Sequence, residues 1–430
     1  MRLKSRWVLA VLVVGLSLYV AASFAITVVN SFDRTGGTDL FTYWRINHFI
    51  RQGEDPYVAF LDRAEIQLPV KYIDGHVATS YPIAETDEEQ KLPGNSPPML
   101  FLLLPLSFLT WSIAKVVWMI LSIVLVLATP WLAFRLLPGR LSLILSVMMA
   151  LVFYGLPGTR AAVVTGQTGV LAIFLALLTL RLVQKKHIWW AGLALGIALS
   201  KFTVAIPFFI FLMYKRKWTT LALAGGIQAV GFLAMAMLQP RSPFEVFTDF
   251  ASIAGAHGPL NGIHLTGLFN PTTLTSVVVG LIFSVIVFVP LWSSTSKLNV
   301  QDSQSEIRDY AVFAVLCSWG LLVVYHRGYD IGMAIPVFAL ILHALSNPST
   351  WRVAKTQLGW MFGLMLGSVL FLSLPVRFIG DVFGAWWEPF VTGSITVVLI
   401  LILVAALLIS RQLNGSILPA FSSRLRGETK

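Results

Sequence analysis

The stretch WVLAVLVVGLSLYVAASFAITV, residues 7–28, contains no charged side chain and follows the basic residues Arg2, Lys4 and Arg6. It is long enough to cross the hydrocarbon core of a bilayer, which takes about 20 apolar residues, and too long for the apolar part of a signal peptide. Basic residues beside a span favour the cytoplasmic side. We therefore expect a retained membrane helix with a cytoplasmic N-terminus, which places the following segment on the outer face.

Apolar runs of this kind recur along the 430 residues, of which 57% are hydrophobic and 12% charged, with a mean hydropathy of +0.78. The pattern predicts one all-α, polytopic integral membrane domain over residues 1–430, with about 10–13 transmembrane or re-entrant helices. Further runs cover residues 141–154, 170–182, 221–237, 274–292, 311–325, 331–345, 360–375 and 391–409. The net charge is +11, but most cations lie in short loops, where they set topology. We therefore expect a multi-pass cell-membrane protein with both termini cytoplasmic, surrounded by lipid and without a nucleic acid partner.

Metal and cofactor sites are not indicated by the sequence. Cys317 is the single cysteine, so neither an intrachain disulfide nor a cysteine-based metal site can form. His257 and His264 have no partners at a ligand spacing, and no Walker A, dinucleotide-binding or HExxH motif occurs. We therefore predict no metal site and no soluble cofactor.

The polar segment at residues 31–96 is the first extracytoplasmic loop. Unstructured loops of this length are uncommon unless they are functional, so we expect short helices along the membrane surface. Asp39, Tyr43 and Ile46 fall at helical spacing within it, which would place them on one face. A carboxylate at a membrane boundary is costly to desolvate and usually faces protein or a wet cavity. Asp39 is therefore the first candidate for chemistry.

Residues 97–134 form an apolar stretch that is too long for one straight span. Because proline is favoured in a first helical turn, we expect a short outer helix over residues 97–109. A true span should follow it and end before the basic residues Arg135 and Arg140.

Residues 188–214 form the other unusual run, because cations flank both of its ends and Lys201 lies in its middle. Two cytoplasmic ends predict two short helices that rise and fall around Lys201 instead of one span. Upstream, the loop Thr165-Gly166-Gln167-Thr168-Gly169 joins two further runs on the outer side. Gln167 and Lys201 are thereby placed on the same face of the membrane as Asp39.

The polar residues of the outer face could converge on one cavity. They are Asp39, Gln167, Lys201, the loop at residues 241–271, the hexapeptide at residues 325–330 and the segment at residues 377–388. A nucleotide sugar, which is cytoplasmic, would be on the wrong side of the membrane. A lipid-linked phosphosugar is the alternative donor, and its phosphate is already a good leaving group, so one base and cations suffice. Asp39 with Lys201, Arg327 or Arg377 meets that requirement.

Five motifs in one order carry a resemblance to a known family. They are Thr-Asp-Leu-x-x-Tyr-Trp through Arg-Gln-Gly-Glu-Asp-Pro-Tyr at residues 38–57, Ser-Pro-Pro-Met with Leu-Pro-Leu at 96–106, Gly-Gln-Thr-Gly at 166–169, the run at 192–201 and His-Arg-Gly-Tyr-Asp at 326–330. The chain resembles glycosyltransferase family 87, whose members are GT-C fold enzymes, and is similar to the mycobacterial mannosyltransferases that use polyprenyl-phosphate-mannose. The resemblance implies a membrane-embedded inverting transferase of the cell envelope, with Asp39 as the general base.

The predicted function is transfer of a sugar, mannose or another hexose or pentose, from a polyprenyl-phosphate donor to a lipid or glycan acceptor on the outer face. The assigned residues are Asp39 and His326 for catalysis, Lys201, Arg327 and Arg377 for the donor phosphate, and Tyr43, Gln167 and Asp330 for substrate binding. Two departures from the family pattern are visible. Ser96 stands where an aromatic often precedes Pro-Pro, and Arg327-Gly328 stands where an acid is expected, which leaves the acceptor and metal dependence open.

Each assignment has a structural alternative. Those alternatives are Asp39 as an ordinary loop acid, Gln167 as a turn residue, Lys201 as a cation that snorkels at a helix break, and His326 or Asp330 as a helix cap. For the whole protein, the competing function is a transporter or flippase of lipid-linked anionic substrates, since broken helices and buried cations also suit transporters. Internal repeats would favour transport, and the two halves show no self-similarity.

Overall fold

The computed structural model is almost entirely helical over the residues that it describes. These are residues 2–32, 37–61, 70–71, 77–78, 95–138, 143–238, 240–256, 273–295, 303–324, 328–347, 360, 363, 399–404 and 406. Two short antiparallel strands, β1 (Val70–Lys71) and β2 (Val77–Ala78), form the one sheet found within these ranges. The fold class predicted from the sequence, an all-α polytopic membrane protein, is confirmed.

The helices follow one another with short connections. They are α1 (Arg2–Phe32), α2 (Thr38–Arg51), α3 (Pro56–Leu61), α4 (Pro97–Leu103), α5 (Trp111–Arg135), α6 (Leu143–Gly155), α7 (Pro157–Thr165), α8 (Gly169–Gln184), α9 (Ile188–Ala198), α10 (Phe202–Tyr214), α11 (Trp218–Ala236), α12 (Pro243–Ala256), α13 (Thr273–Thr295), α14 (Ser303–Val323) and α15 (Ile335–Ser346). Three 3₁₀ turns lie at Leu104–Phe108, Leu199–Lys201 and Gly328–Ala334.

Three helical stretches among the described residues are long and apolar enough to cross a membrane. They are Trp111–Arg135, Ile188–Tyr214 and Trp218–Ala236. A fourth arises if Gly158–Thr165 and Gly169–Gln184, which are bent by 114° relative to each other, count as one broken span. The sequence-based number of 10–13 helices at membrane depth stays a prediction, because many of the predicted runs lie outside the described ranges.

The apolar stretch of α9 and α10 is broken at Lys201, whose backbone (φ −113°, ψ 73°) is not helical. Length alone would allow one span, but the packing shows that the chain doubles back. Gly192 lies against Leu223 and Gly196 against Ile227, so α9 and α11 run in the same direction. Since α11 begins shortly after α10 ends, α10 must return the chain to the level at which α9 started. The two short helices predicted around Lys201 are confirmed.

The short outer helix predicted over residues 97–109 is also confirmed. It consists of α4, with Pro97 in its first turn, and the 3₁₀ turn Leu104–Phe108. The span that follows, α5, ends at Arg135 as expected. Arg140 lies outside the described residues.

Short helices in the first loop are present as predicted, and α2 is buried over most of its surface. The Trp44 indole donates to the carbonyl of Leu109 at 3.2 Å, and the Arg51 guanidinium donates to that of Ser107 at 2.6 Å. Phe41 packs edge-on against Trp111, with ring centroids 5.1 Å apart. The loop helix is therefore held against the start of the α5 span.

The Asp55-Pro56-Tyr57 motif starts α3 and connects it to α12. Asp55 Oδ1 accepts from the Tyr57 N–H at 2.8 Å, as an N-cap does, and its Oδ2 accepts from Arg241 at 2.8 Å. The Tyr57 hydroxyl donates to the carbonyl of Asn95 at 2.9 Å. The motif thus orients Asn95, which enters the site described below.

Two loop predictions were wrong in part. Residues 158–160, predicted as a loop, belong to α7, and much of the predicted loop at residues 241–271 is α12. The sequence PFEVFTDFASIAGA of α12 has an apolar residue at every third or fourth position, which stabilises an amphipathic helix.

The chain divides into two compact units. The first comprises Met1–Leu132, Ala150–Leu260 and Arg327–Gly332, and the second Ala133–Met149, Asn261–His326 and Met333–Lys430. In the second unit, the Tyr310 hydroxyl donates to the carbonyl of Ala133 at 3.2 Å. All the described candidate site residues belong to the first unit. The single membrane domain expected over residues 1–430 stays a prediction.

Candidate active site

Asp39 lies in the first turn of α2, where the helix dipole favours a negative charge. The helix begins after Gly37, which has a left-handed backbone (φ 82°) and whose N–H donates to the carbonyl of Val164 at 2.6 Å. Asp39 is 6% exposed and accepts a hydrogen bond from Gln167 Nε2. It is therefore a buried, hydrogen-bonded carboxylate and not a solvated loop acid.

The Gln167 side chain reaches Asp39 because of the turn at Gly166. Gly166 ends α7 with φ 72°, a left-handed conformation that glycine adopts without steric strain. Its α-carbon lies against α2, where an added Cβ would be 2.6 Å from the Leu40 Cβ. The Trp118 indole donates to the Gly166 carbonyl at 3.0 Å. Gln167 is a turn residue by position, but its buried side chain has a defined partner.

Tyr43 lies one helical turn after Asp39 and is also buried. Its phenol is hydrogen-bonded to the side chains of Thr168 and Asn95, and Asn95 Nδ2 donates to Thr168 Oγ1 at 2.9 Å. Burial raises the pKa of the phenol far above its ordinary value of 10.0, and the negative charges of Asp39 and Asp330 raise it further. The phenol therefore stays protonated and can donate a hydrogen bond.

Lys201 and Asp330 form a buried ion pair, with Lys201 Nζ 2.7 Å from Asp330 Oδ1. The Lys201 side chain is 11% exposed and that of Asp330 4%, so neither extends into solvent. Asp330 lies inside the 3₁₀ turn Gly328–Ala334, and Ala334 is the residue that precedes α15. The alternatives of a snorkelling lysine and a capping aspartate are therefore wrong.

Three consecutive residues between α7 and α8 contact all of these groups. Gln167 contacts the carboxylate, Thr168 contacts the phenol, and the backbone of Gly169 lies against the ion pair. An added Cβ at Gly169 would be 2.8 Å from Lys201 Nζ, so only glycine allows this close approach. One turn thus holds together a buried carboxylate, a phenol donor and a buried cation.

Ser96, Ser200 and Gln228 fix the helix break beside Lys201. The Ser96 N–H donates to the carbonyl of Ser200 at 3.0 Å, and its hydroxyl donates to Gln228 Oε1 at 2.7 Å. Gln228 Nε2 donates to the carbonyl of Gly196 at 2.6 Å and to Ser200 Oγ at 3.2 Å. Carbonyls near the end of a helix lack intrahelical partners, and Gln228 supplies one. Ser96, which departs from the aromatic expected before Pro-Pro, is part of this network.

Asn95, Thr168 and Gln228 are site residues that the sequence analysis did not single out. A signal for Gln228 was present, because a polar side chain within a membrane span usually has a partner or a function. Asn95 and Thr168 adjoin motif residues, but nothing in the sequence indicates that their side chains meet each other.

His326, Arg327 and Arg377 lie outside the described residues, so their predicted roles stay predictions, as does the interpretation of His257 and His264. Within the ranges that the structure describes, no three His, Cys, Asp or Glu side chains are grouped so as to hold a metal ion. The expectations about metals and soluble cofactors also stay predictions.

Comparison with known proteins gives one match. A family model described as Glycosyltransferase family 87 matches residues 95–318, which is more than half of the chain. No curated protein and no solved structure matches. The matched range includes Gln167 and Lys201, whereas Asp39, Tyr43 and Asp330 lie outside it.

Proposed function

The chain belongs to glycosyltransferase family 87 and is thus a membrane glycosyltransferase, and we propose that its donor is a polyprenyl-phosphate-linked sugar. The sugar, mannose or another hexose or pentose, would pass to a lipid or glycan acceptor at the outer face of the cell membrane. The observation that carries the proposal is the single turn that joins buried Asp39 to buried Lys201. A base and a cation at one site suit displacement of a phosphate leaving group.

The donor class follows from the chemistry of the available groups. Protonation of a leaving alcohol would require a second carboxylic acid, but polyprenyl phosphate leaves as an anion and needs only cations. Lys201 has Asp330 as one partner, yet an ammonium carries three N–H donors, so this pair does not by itself exclude a phosphate. Arg327 and Arg377 are proposed from the sequence as further phosphate ligands.

The proposed reaction is a single displacement. Asp39 accepts the proton of the acceptor hydroxyl while the oxygen attacks the anomeric carbon of the donor sugar. The bond from that carbon to the phosphate oxygen breaks with its electron pair on the leaving phosphate, so the anomeric configuration inverts. Gln167 orients the Asp39 carboxylate, and the protonated phenol of Tyr43 can donate to a substrate oxygen. The reaction consumes no cofactor.

The remaining assignments complete the proposal. Asp330 holds Lys201 and is proposed to contact substrate, and His326 is proposed to assist Asp39 or to bind the acceptor. The GT-C fold and a preference for mannose, as in mycobacterial mannosyltransferases, rest on the sequence motifs described above.

Transport of a lipid-linked anion is the alternative function. The α9–α10 hairpin and the 114° bend between α7 and α8 are broken helices of the kind that transporters use. The two functions differ in product, because a carrier moves the lipid across the bilayer without making a glycosidic bond.

The proposed function is tested by incubating membranes that contain this protein with radiolabelled polyprenyl-phosphate hexoses and pentoses, followed by lipid extraction. We expect label in a new glycolipid or glycan, and none with membranes from cells that lack the protein. Lipid movement into the inner leaflet without a labelled product would support the transport function instead.

The cation pattern predicts that residue 87 is outside the cell and the C-terminus inside. Asp87→Cys should react with a membrane-impermeant maleimide in intact cells, whereas Lys430→Cys should react only after permeabilisation. Cys317 is fully buried, so it should give little background signal. Labelling of both positions from the same side would refute the topology and the placement of the site.

A further inference from the structure

Asn47 has a fully buried side chain on α2, with 0% exposure. Neither its Oδ1 nor its Nδ2 has a hydrogen-bond partner among the described residues. Buried polar groups are nearly always paired, because an unpaired amide loses its hydrogen bonds to water without replacement. An apolar side chain at this position would stabilise the fold better, so the amide requires another explanation.

The position of Asn47 on α2 connects it with the candidate base. Residues four apart are neighbours on a helix surface, so Tyr43 lies between Asp39 and Asn47 along the helix. All three side chains are buried. At 1.5 Å per residue, Asn47 is about 12 Å further along the helix axis than Asp39. A ligand that reacts at Asp39 and extends along α2 past Tyr43 would reach Asn47.

The chemistry of the amide restricts the kind of ligand. Nδ2 donates two hydrogen bonds and Oδ1 accepts, so a group that satisfies both atoms must itself accept and donate. A phosphate would leave Oδ1 without a donor, and an isoprenoid chain would satisfy neither atom. Sugar hydroxyls donate and accept, and neighbouring hydroxyls on a ring can engage both atoms at once.

We propose that Asn47 binds sugar hydroxyls of the acceptor at a position distant from the hydroxyl that reacts at Asp39. This proposal rests on the proposed function. The transferred sugar must keep its anomeric carbon beside the oxygen activated by Asp39, so a group about 12 Å along α2 belongs to the acceptor. The acceptor is therefore a glycan or glycolipid that carries sugar beyond the reacting residue.

The test is Asn47→Leu, which replaces the amide by an apolar side chain of similar size. Without sugar, the variant should melt at a higher temperature than the wild type, because the unpaired amide is gone. The KM for a glycolipid acceptor from a membrane extract should rise about tenfold, as expected for one or two lost hydrogen bonds. The kcat and the KM for the donor should stay near wild-type values. Asn47→Ala should raise the acceptor KM similarly.

Asn95→Leu is the matched control for stability. Asn95 is equally buried, but it donates to Thr168, so its replacement should lower the melting temperature. A melting temperature of Asn47→Leu that falls, together with an unchanged acceptor KM, would show a purely structural role. A rise in the donor KM alone would assign the hydroxyls to the donor sugar and overturn the acceptor assignment.

A second measurement separates this proposal from the proposed function. A panel of methyl hexosides and pentosides should raise the melting temperature of the wild type but not that of Asn47→Leu. Equal stabilisation of both proteins, or of neither, would overturn the role of Asn47. Absence of sugar transfer by the wild type would instead overturn the proposed function.

Discussion

Asp39→Asn should lower the rate of sugar transfer by about 10²–10⁴-fold, which is the usual contribution of a positioned general base. Asparagine keeps the size of the side chain, and its Oδ1 can still accept the hydrogen bond from Gln167. It cannot take up the proton of the acceptor hydroxyl. We therefore expect unchanged folding and donor binding, measured by melting temperature and by retention of labelled donor, with a large loss in initial rate.

Asp249→Asn is the matched control, because it makes the same acid-to-amide change at a partly exposed aspartate that pairs with Arg241. This variant should transfer sugar at close to the wild-type rate. Near-normal turnover by Asp39→Asn would exclude Asp39 as the base and direct attention to His326 or Asp330. The anomeric configuration of the product, determined by NMR, is an independent check. Retention would exclude a single displacement, since it requires a covalent intermediate.

Lys201→Gln and Asp330→Asn should each destabilise the protein by about 3–5 kcal/mol, because each leaves an uncompensated charge in a buried site. Lys201→Gln should also weaken binding of the polyprenyl-phosphate donor, since its cation is proposed to hold the phosphate. Denaturant or thermal unfolding in detergent measures the first effect. Equilibrium binding of labelled donor measures the second.

The double variant Lys201→Gln/Asp330→Asn separates the structural effect from the functional one. Removing both charges should recover most of the stability, because neither partner is then left unpaired. Donor binding should remain weak. Asp249→Asn again serves as the control, because breaking its partly exposed pair should cost no more than about 1 kcal/mol. Full donor affinity in the double variant would place the phosphate site elsewhere.

Local patterns in the sequence were sufficient for the elements that frame the site. Proline in the first turn predicts α4, and cations at both ends of residues 188–214 predict the reversal at Lys201. The spacing of Asp39 and Tyr43 predicts their shared burial on α2. Each of these features depends on neighbours within a few residues along the chain. The α7 and α12 helices were missed because they lie in polar segments between apolar runs.

The sequence by itself determined that the chain is helical and membrane-embedded, because the length of its apolar runs and the need to satisfy backbone polar groups in lipid leave few other solutions. It also identified Asp39, Gln167, Lys201 and Asp330 as polar groups that are costly to bury. Only the tertiary structure decided their partners. Asp39 meets Gln167 across 128 positions, and Lys201 meets Asp330 across 129. Such pairs form because a buried charge or amide must be satisfied by whichever group the packing of distant helices brings within hydrogen-bonding distance.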